Sequence, residues 1–349
     1  MSAVEAYRPN VLVKTENLSR EEWLEYRRLG IGGSDAAAIL GISPWRTARD
    51  LYYDKLNVVT ADDMDNWVAL EVGNLLEPLV ARIFAKKTGL KVYQWKKMFQ
   101  HPDYPWMLAD LDYLVDLPDG TRAILEIKTT NFNAKDKWWY DGKEIVPIYY
   151  ESQGRHYMAV MGIDRVYYCC LYGNNEDNVI IRHIDRDMDY EQELIALEGM
   201  FWNEHVLAKN PPDYTEDGDL ILKSLQRQLG VSDEQEPPMV LSLPQYAHIQ
   251  RYLELQQQNS ELARQAKQVS NEMDRIKGLL IDAMGNHPAA VYTGTDCSYS
   301  VTYNASHRAS VPKEAIERMK EVEPDIYKRY VQISESRRFK IKKVMPDAA

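Results

Sequence analysis

In "AILEIKTTNF", residues 123 to 132, two charged side chains interrupt an otherwise apolar run. Read as a strand, the run places Ile124, Glu126 and Lys128 on one face and Leu125 and Ile127 on the other, because side chains alternate. A carboxylate and an ammonium in such a strand are costly unless they are paired or bound to something. The preceding strand-like run, "WMLADLDYLVD", puts Asp110, Asp112 and Asp116 on one face, and the tight-turn sequence "LPDG" folds it back as a hairpin. That register brings Asp112 to within about a residue of Glu126. Two carboxylates about 5 Å apart repel unless a proton or a cation lies between them. Oxygen ligands of this kind suit Mg²⁺ or Mn²⁺. Lys128 on the same face can then hold an attacking water and balance charge developing on a phosphoryl oxygen.

The plainer alternative is an ordinary ion pair on a solvated sheet face. Two helical side chains weigh against it. Glu77, in "GNLLEPLVARIF", shares a helix face with Gly73, Val80 and Phe84, so a carboxylate projects from an apolar stripe. Gln153, in "YYESQGRHYMAV", shares a face with Tyr150, Tyr157 and Val160. Together they offer a third carboxylate and an amide to the same site. Upstream, "GIGGSD" lacks the G-K-[ST] of a phosphate-binding P-loop. Ser34 or Asp35 would start a helix there, with free N–H groups facing outward, and Arg28 nearby would complete an anion site. An ordinary N-cap and turn is the alternative.

The elements that must position these groups follow from local signals. Residues 18–29 read as a capped helix, with Ser19 and Glu22 in capping-box spacing. Helices follow through 34–40 and 47–56, and a long one runs from about 65 to 88, ending at Gly89. Strand-like runs at 91–99, 106–116 and 121–129 suggest a three-stranded meander. A helix at 148–161, strands at 165–172 and 178–184, and a helix at 188–208 complete the unit. This order implies an α+β or mixed α/β fold with a central sheet. The Pro-rich and acidic segments "KNPPDYTEDGD" and "GVSDEQEPP" mark a boundary. The expected organisation is a domain over 1–209, a linker over 210–238 and an extension over 239–349. That extension holds one long polar helix at 244–285, where Leu253, Leu262, Val269, Met273, Ile276 and Leu280 form a broken heptad. Two short strands, two small helices and a basic strand, "SRRFKIKK", follow it.

Composition bounds the rest. The 349 residues are 45% hydrophobic and 27% charged, as in ordinary globular chains. No apolar stretch reaches the roughly 18 residues of a membrane span, and no apolar segment near the N-terminus resembles a secretion signal. Three cysteines, two of them adjacent, form neither a disulfide framework nor a zinc pattern. A reducing cytoplasm is the expected setting. The net charge of −11 argues against a basic footprint over the whole chain. Two local tracks remain: Arg82 to Lys97, without an acid, and Arg337 to Lys343.

Taken as an ordered set, "RRLGIGGSDAAAILGISPW", "GNLLEPLVARIFAKKTGLKV", "LADLDYLV", "LEIKTTN" and "QGRHYMAVMG" resemble the YqaJ-type viral recombinases, relatives of the phage lambda-type exonucleases in the PD-(D/E)XK nuclease superfamily. The likeness covers roughly residues 20 to 175. It implies a nuclease core with a central mixed sheet flanked by helices. It implies a Mg²⁺-dependent 5′→3′ exonuclease acting on double-stranded DNA ends and exposing 3′ single strands for recombination. It also implies Asp112, Glu126 and the Ile127 carbonyl as metal ligands, Lys128 as the catalytic lysine, Glu77 as a supporting carboxylate, and Gln153 with Tyr157 near the water or the scissile phosphate. The Ser34 and Arg28 site would grip a 5′-terminal phosphate. A single-strand annealing protein and a ring-shaped trimer are the implied partners. Leu111 stands where the motif usually has a turn-forming proline. An iron–sulfur nuclease of the same superfamily needs four cysteine ligands, one more than the chain has. A restriction-type endonuclease and a DNA-end-binding module are the other readings. Metal-dependent loss of duplex DNA separates the enzymes from the binding module.

Overall fold

The structure is a computed structural model, describing residues 7–58, 67–229, 237–293, 298–303 and 313–330. The basic run 337–343 lies outside the described residues. The chain divides into two compact units, Met1–Glu234 and Gln235–Ala349.

The first unit opens with strand β1 (Asn10–Lys14) and helix α1 (Arg20–Arg28), which carries the full Ser19/Glu22 capping box. A short strand β2 (Ile31–Gly32) leads into α2 (Gly33–Ile39), and α3 (Ala48–Lys55) follows behind a Thr47/Asp50 capping box. Helix α4 (Trp67–Thr88) stops at Gly89, whose φ of 72° only glycine adopts freely.

The two runs expected as single strands each break. Residues 91–99 divide into β3 (Lys91–Tyr93) and β4 (Lys97–Gln100) around Lys96, which sits at φ 45°. Residues 106–116 divide into β5 (Met107–Asp110) and β6 (Tyr113–Asp116). The halves go to different sheets, and the expected meander survives in part, residues 91–93, 113–116 and 122–129 pairing antiparallel in that order. A four-stranded sheet has the order β1-β4-β5-β2, and a five-stranded sheet has the order β11-β10-β7-β6-β3. The latter's centre is β7 (Arg122–Thr129). A 3₁₀ turn (Phe132–Trp138) and a small hairpin of β8 (Trp139–Tyr140) and β9 (Lys143–Glu144) lead to α5 (Ile148–Met161). Strands β10 (Arg165–Leu171) and β11 (Val179–Asp185) complete the sheet, and α5 is the crossover that makes β10 parallel to β7. Helix α6 (Met188–Met200) runs on through a π-helical turn to Leu207.

Strand β7 is covered on both faces, which explains its apolar composition. Leu125 and Ile127 pack under Val80 and Phe84 of α4, while Ile124 lies in the core beneath Tyr157, Met158 and Val160 of α5. A buried histidine ties α5 to the other sheet: His156 donates from Nε2 to the Leu108 carbonyl at 2.8 Å, and its Nδ1 meets both Glu198 oxygens at 2.9 Å.

The segment expected as a linker contains helix α7 (Gly218–Leu229), which belongs to the first unit. Its Ser224 is fully buried and donates to Asp50 at 2.7 Å, and Arg227 pairs with the same carboxylate. The chain's Pro-rich exit is therefore not the domain edge; packing extends about a helix beyond it. The second unit comprises α8 (Leu243–Met284), a hairpin of β12 (Ala289–Thr293) and β13 (Ser298–Thr302), and the short helices α9 (Lys313–Val322) and α10 (Pro324–Tyr330).

Candidate active site

Because β7 alternates, Glu126 and Lys128 point to the face that α5 covers, and α5 meets them with Gln153 and Tyr157, one turn apart. The Lys128 ammonium donates to Glu126 Oε2 at 2.9 Å and to Gln153 Oε1 at 3.1 Å. The Gln153 amide donates to the same Glu126 oxygen at 2.9 Å and lies 3.4 Å from the Tyr157 hydroxyl. Acceptor and donor ends of one amide thus bridge the ammonium and the carboxylate, which fixes all three. The other Glu126 oxygen, Oε1, is buried without a hydrogen-bond partner. Such an oxygen is costly in a closed core. Gly33, at the start of α2, allows this packing, since a Cβ there would meet the Tyr157 ring at 2.6 Å.

Asp112 reaches the site from the break between β5 and β6. Its Oδ2 accepts from the Ile127 amide at 2.9 Å, which places it beside Glu126, as the β6/β7 register requires. Burial pushes the Glu126 carboxyl up to about 8, and the neighbouring Asp112 adds to the rise. Asp112 itself is raised by burial despite Lys128 and the Ile127 amide. Burial opposes the charge on Lys128, but Glu126 and Asp112 outweigh it and hold the ammonium above its usual value. Glu77, at 3.4 Å from the Gln94 amide, is pushed up to about 7 by burial and by Asp112. One ammonium therefore serves several carboxylates, and the surplus negative charge calls for a proton or a cation. Among the described residues no group of three or more His, Cys, Asp and Glu side chains is placed to hold a metal ion. The donor set that fits one is smaller: Asp112, the orphan oxygen of Glu126 and backbone oxygen, completed by water, as suits a hard divalent ion.

These residues border a cleft of about 440 Å³ whose lining includes Glu77, Asp112, Gln153 and Tyr157 together with Arg27, Gly32, Gly33 and Ser34. The arginine beside Ser34 is Arg27, not Arg28. Arg27 donates to the Ser34 hydroxyl at 2.8 Å and to Asp35 at 2.9 Å. Arg28, one residue and about 100° further around α1, turns to Asp54, donating to its carbonyl at 3.2 Å. The expected anion site thus keeps Ser34 and exchanges its cation. A sequence signal existed: Trp23 and Arg27 are one turn apart, and the guanidinium lies over the indole at 5.0 Å.

Asp35, fully buried, is surrounded by cations. Lys55 pairs with it at 2.6 Å, Arg27 at 2.9 Å, and Arg46 also contacts it. Burial alone would raise its pKa, but Lys55, Arg27 and Arg46 overcome that and hold it far below the usual range. Asp110, expected to share a strand face with Asp112, is separated by the break and accepts from the Trp23 indole at 2.6 Å. Asp116 lies half-buried at the far end of β6, bonded to Lys91 and Tyr93. Much of the expected basic track is already paired, Lys86 with Glu176 and Lys87 with Asp177; Lys96 borders the cleft.

Residues 22–164 match the family model of the YqaJ-like viral recombinase domain. Over 341 residues the chain is 33% identical to the YqaJ protein of Bacillus subtilis (strain 168), covering 97% of this chain and 98% of that one. The chain belongs to the YqaJ family. The B. subtilis member is itself uncharacterised. Among solved structures, this YqaJ-family chain is similar to an alkaline exonuclease from Laribacter hongkongensis, with 22% identity, a TM-score of 0.44, and 54% of this chain and 94% of that one covered. It is also similar to a phage-related exonuclease from Haemophilus somnus, at 12% identity, a TM-score of 0.39, and 54% and 99% coverage.

Proposed function

We propose that the chain is a metal-dependent exonuclease that degrades double-stranded DNA 5′→3′ from its ends, leaving 3′ single strands for recombination. The observation that carries this reading is the partnerless Oε1 of Glu126, buried beside Asp112 and braced by Lys128 and Gln153. Asp112, Glu126 and the Ile127 carbonyl would hold Mg²⁺, with Mn²⁺ able to substitute, and Glu77 would support them. Such an ion, when bound, lowers the pKa of water and offsets charge on a phosphoryl oxygen. Lys128, kept charged by its two carboxylate neighbours, supplies a fixed donor for the attacking water and the phosphoryl oxygens. Gln153 holds the Lys128 ammonium and the Glu126 carboxylate in one geometry, with Tyr157 beside it. Arg27 and Ser34 would receive a 5′-terminal phosphate, to which a guanidinium makes charge-assisted hydrogen bonds. The family's description as a viral recombinase supports the DNA substrate and the role in recombination. A single-strand annealing protein taking up the exposed 3′ strand belongs to the same reading.

The test is digestion of linear, nicked and circular duplexes, bearing 5′-phosphate or 5′-hydroxyl ends, with and without Mg²⁺. Loss of linear DNA alone, dependent on Mg²⁺ and faster from phosphorylated ends, is expected. Cutting of closed circles would make the chain an endonuclease, and retention of ends without digestion would make it a binding module.

A further inference from the structure

Helix α8 is continuous for 42 residues. That is far longer than a globular unit needs to bury one face. A heptad register runs through its middle without a break. Tyr252, Asn259, Ala266, Met273 and Leu280 recur every seven residues, and so do Leu255, Leu262, Val269, Ile276 and Ala283. The two series are spaced alternately by three and four, the a and d positions of a coiled coil. Leu255 restores the register that Leu253, one position off the seam, obscures in the sequence. Within the seam Leu255 is 46% exposed, Leu262 63%, Val269 61% and Met273 66%. On the flanks and outer face, the Arg251–Glu254 and Glu261–Arg264 ion pairs keep the helix polar.

We infer that α8 pairs with α8 of a second copy of this chain, parallel and in register. The residues beside the seam are self-complementary in that arrangement. Each g position meets the e position of the partner's next heptad, giving Arg251 with Gln256, Gln258 with Ala263, Gln265 with Ser270, Glu272 with Lys277 and the apolar Leu279 with Met284. No pairing sets like charges together, and Glu272 with Lys277 is of opposite sign. Asn259 is the one amide at an a position. It has a partner only when it faces its own copy, which selects the in-register parallel pair over shifted ones. Toward the C-terminal end, Val301 and Tyr303 flank Met273, Ile276 and Leu280, leaving an apolar groove of about 280 Å³ along the seam.

Two measurements on the full chain, with Cys297 replaced by serine, test this. Leu262→Cys at d should form a disulfide-linked pair on mild oxidation, whereas Gln257→Cys, on the outer face five residues earlier, should not. Val269→Glu should lower the particle mass in solution by at least half. Val269 is 61% exposed, so its replacement costs an unpaired chain little and the first unit should keep its thermal midpoint. Equal cross-linking at Leu262 and Gln257, no cross-linking at Leu262, or a mass unchanged by Val269→Glu each overturns the proposal. The last result would mean that another segment of the chain, or a different protein, covers the seam.

Discussion

Asp35 and Glu126 are both carboxylates with no exposed surface, and their surroundings are electrostatic opposites. Asp35 has three cations around it and an amide hydrogen bond from Gly32 at 3.0 Å. Glu126 has one ammonium, a neighbouring carboxylate and an oxygen with no partner. The first site carries surplus positive charge and holds its acid ionised. The second carries surplus negative charge and pushes its acid toward the neutral form. Burial is the same in both; the count of neighbouring charges decides the sign of each surrounding.

The largest effect expected is around Glu126. Asp112→Ala and Glu126→Gln should each reduce Mg²⁺-dependent digestion of linear duplex by about 10³-fold or more, with the fold retained by circular dichroism. Lys128→Ala should be similarly inactive but should still bind the ion. Substantial residual digestion by either carboxylate variant would remove the site from the mechanism.

Stability should separate the two surroundings next. Asp35→Asn strands three cations and should cost about 3–5 kcal/mol, the usual penalty for breaking a buried ion pair. Glu126→Gln relieves repulsion and should leave the metal-free chain unchanged or more stable. Urea unfolding of both variants without metal checks this, and equal losses would erase the distinction.

A smaller effect belongs to the pair of arginines. Arg27→Ala should shrink the preference for 5′-phosphorylated over 5′-hydroxyl ends by about tenfold, in keeping with a charged hydrogen bond. Arg28→Ala should leave that ratio as it was, because its side chain is held by Asp54. If the Arg28 variant alone changes the ratio, the anion site lies elsewhere.

The smallest effect is a pH trend without metal. Glu126 titrates near 8 and Glu77 near 7 in the folded chain, both above the 4.5 of a free glutamate. Below the free value both states hold these protons and native stability is complete. From about 4.5 up to about 8 the unfolded chain has released protons that the native chain still holds, so stability falls as pH rises through that range and levels off above it. The thermal midpoint in chelator should therefore drop across that window, and added divalent cation or Glu126→Gln should flatten the drop. A midpoint that rises with pH there would contradict the surplus of negative charge around Glu126.

What the sequence by itself determined was local. The Ser19/Glu22 capping box, the glycine stop at Gly89, the span of α5 and the alternation of β7 all follow from residues within a turn or two of one another, where a few atoms set the geometry. Pairing Asp112 with Glu126 needed only a hairpin, and Glu77, Gln153 and Tyr157 were legible as polar groups on apolar faces. Tertiary structure decided the rest. The turn at Lys96 and the break at Leu111 send half of each strand to another sheet, and Asp110, on the other side of that break from Asp112, bonds Trp23. Arg27 rather than Arg28 meets Ser34 because one residue rotates a helix by about 100°, a choice made by what α1 packs against. Helix α7 joins the first unit through Ser224 and Arg227 on Asp50, a contact between residues more than 170 apart in sequence. Such contacts depend on which surfaces meet once the chain has collapsed, and no local pattern of residue types encodes that.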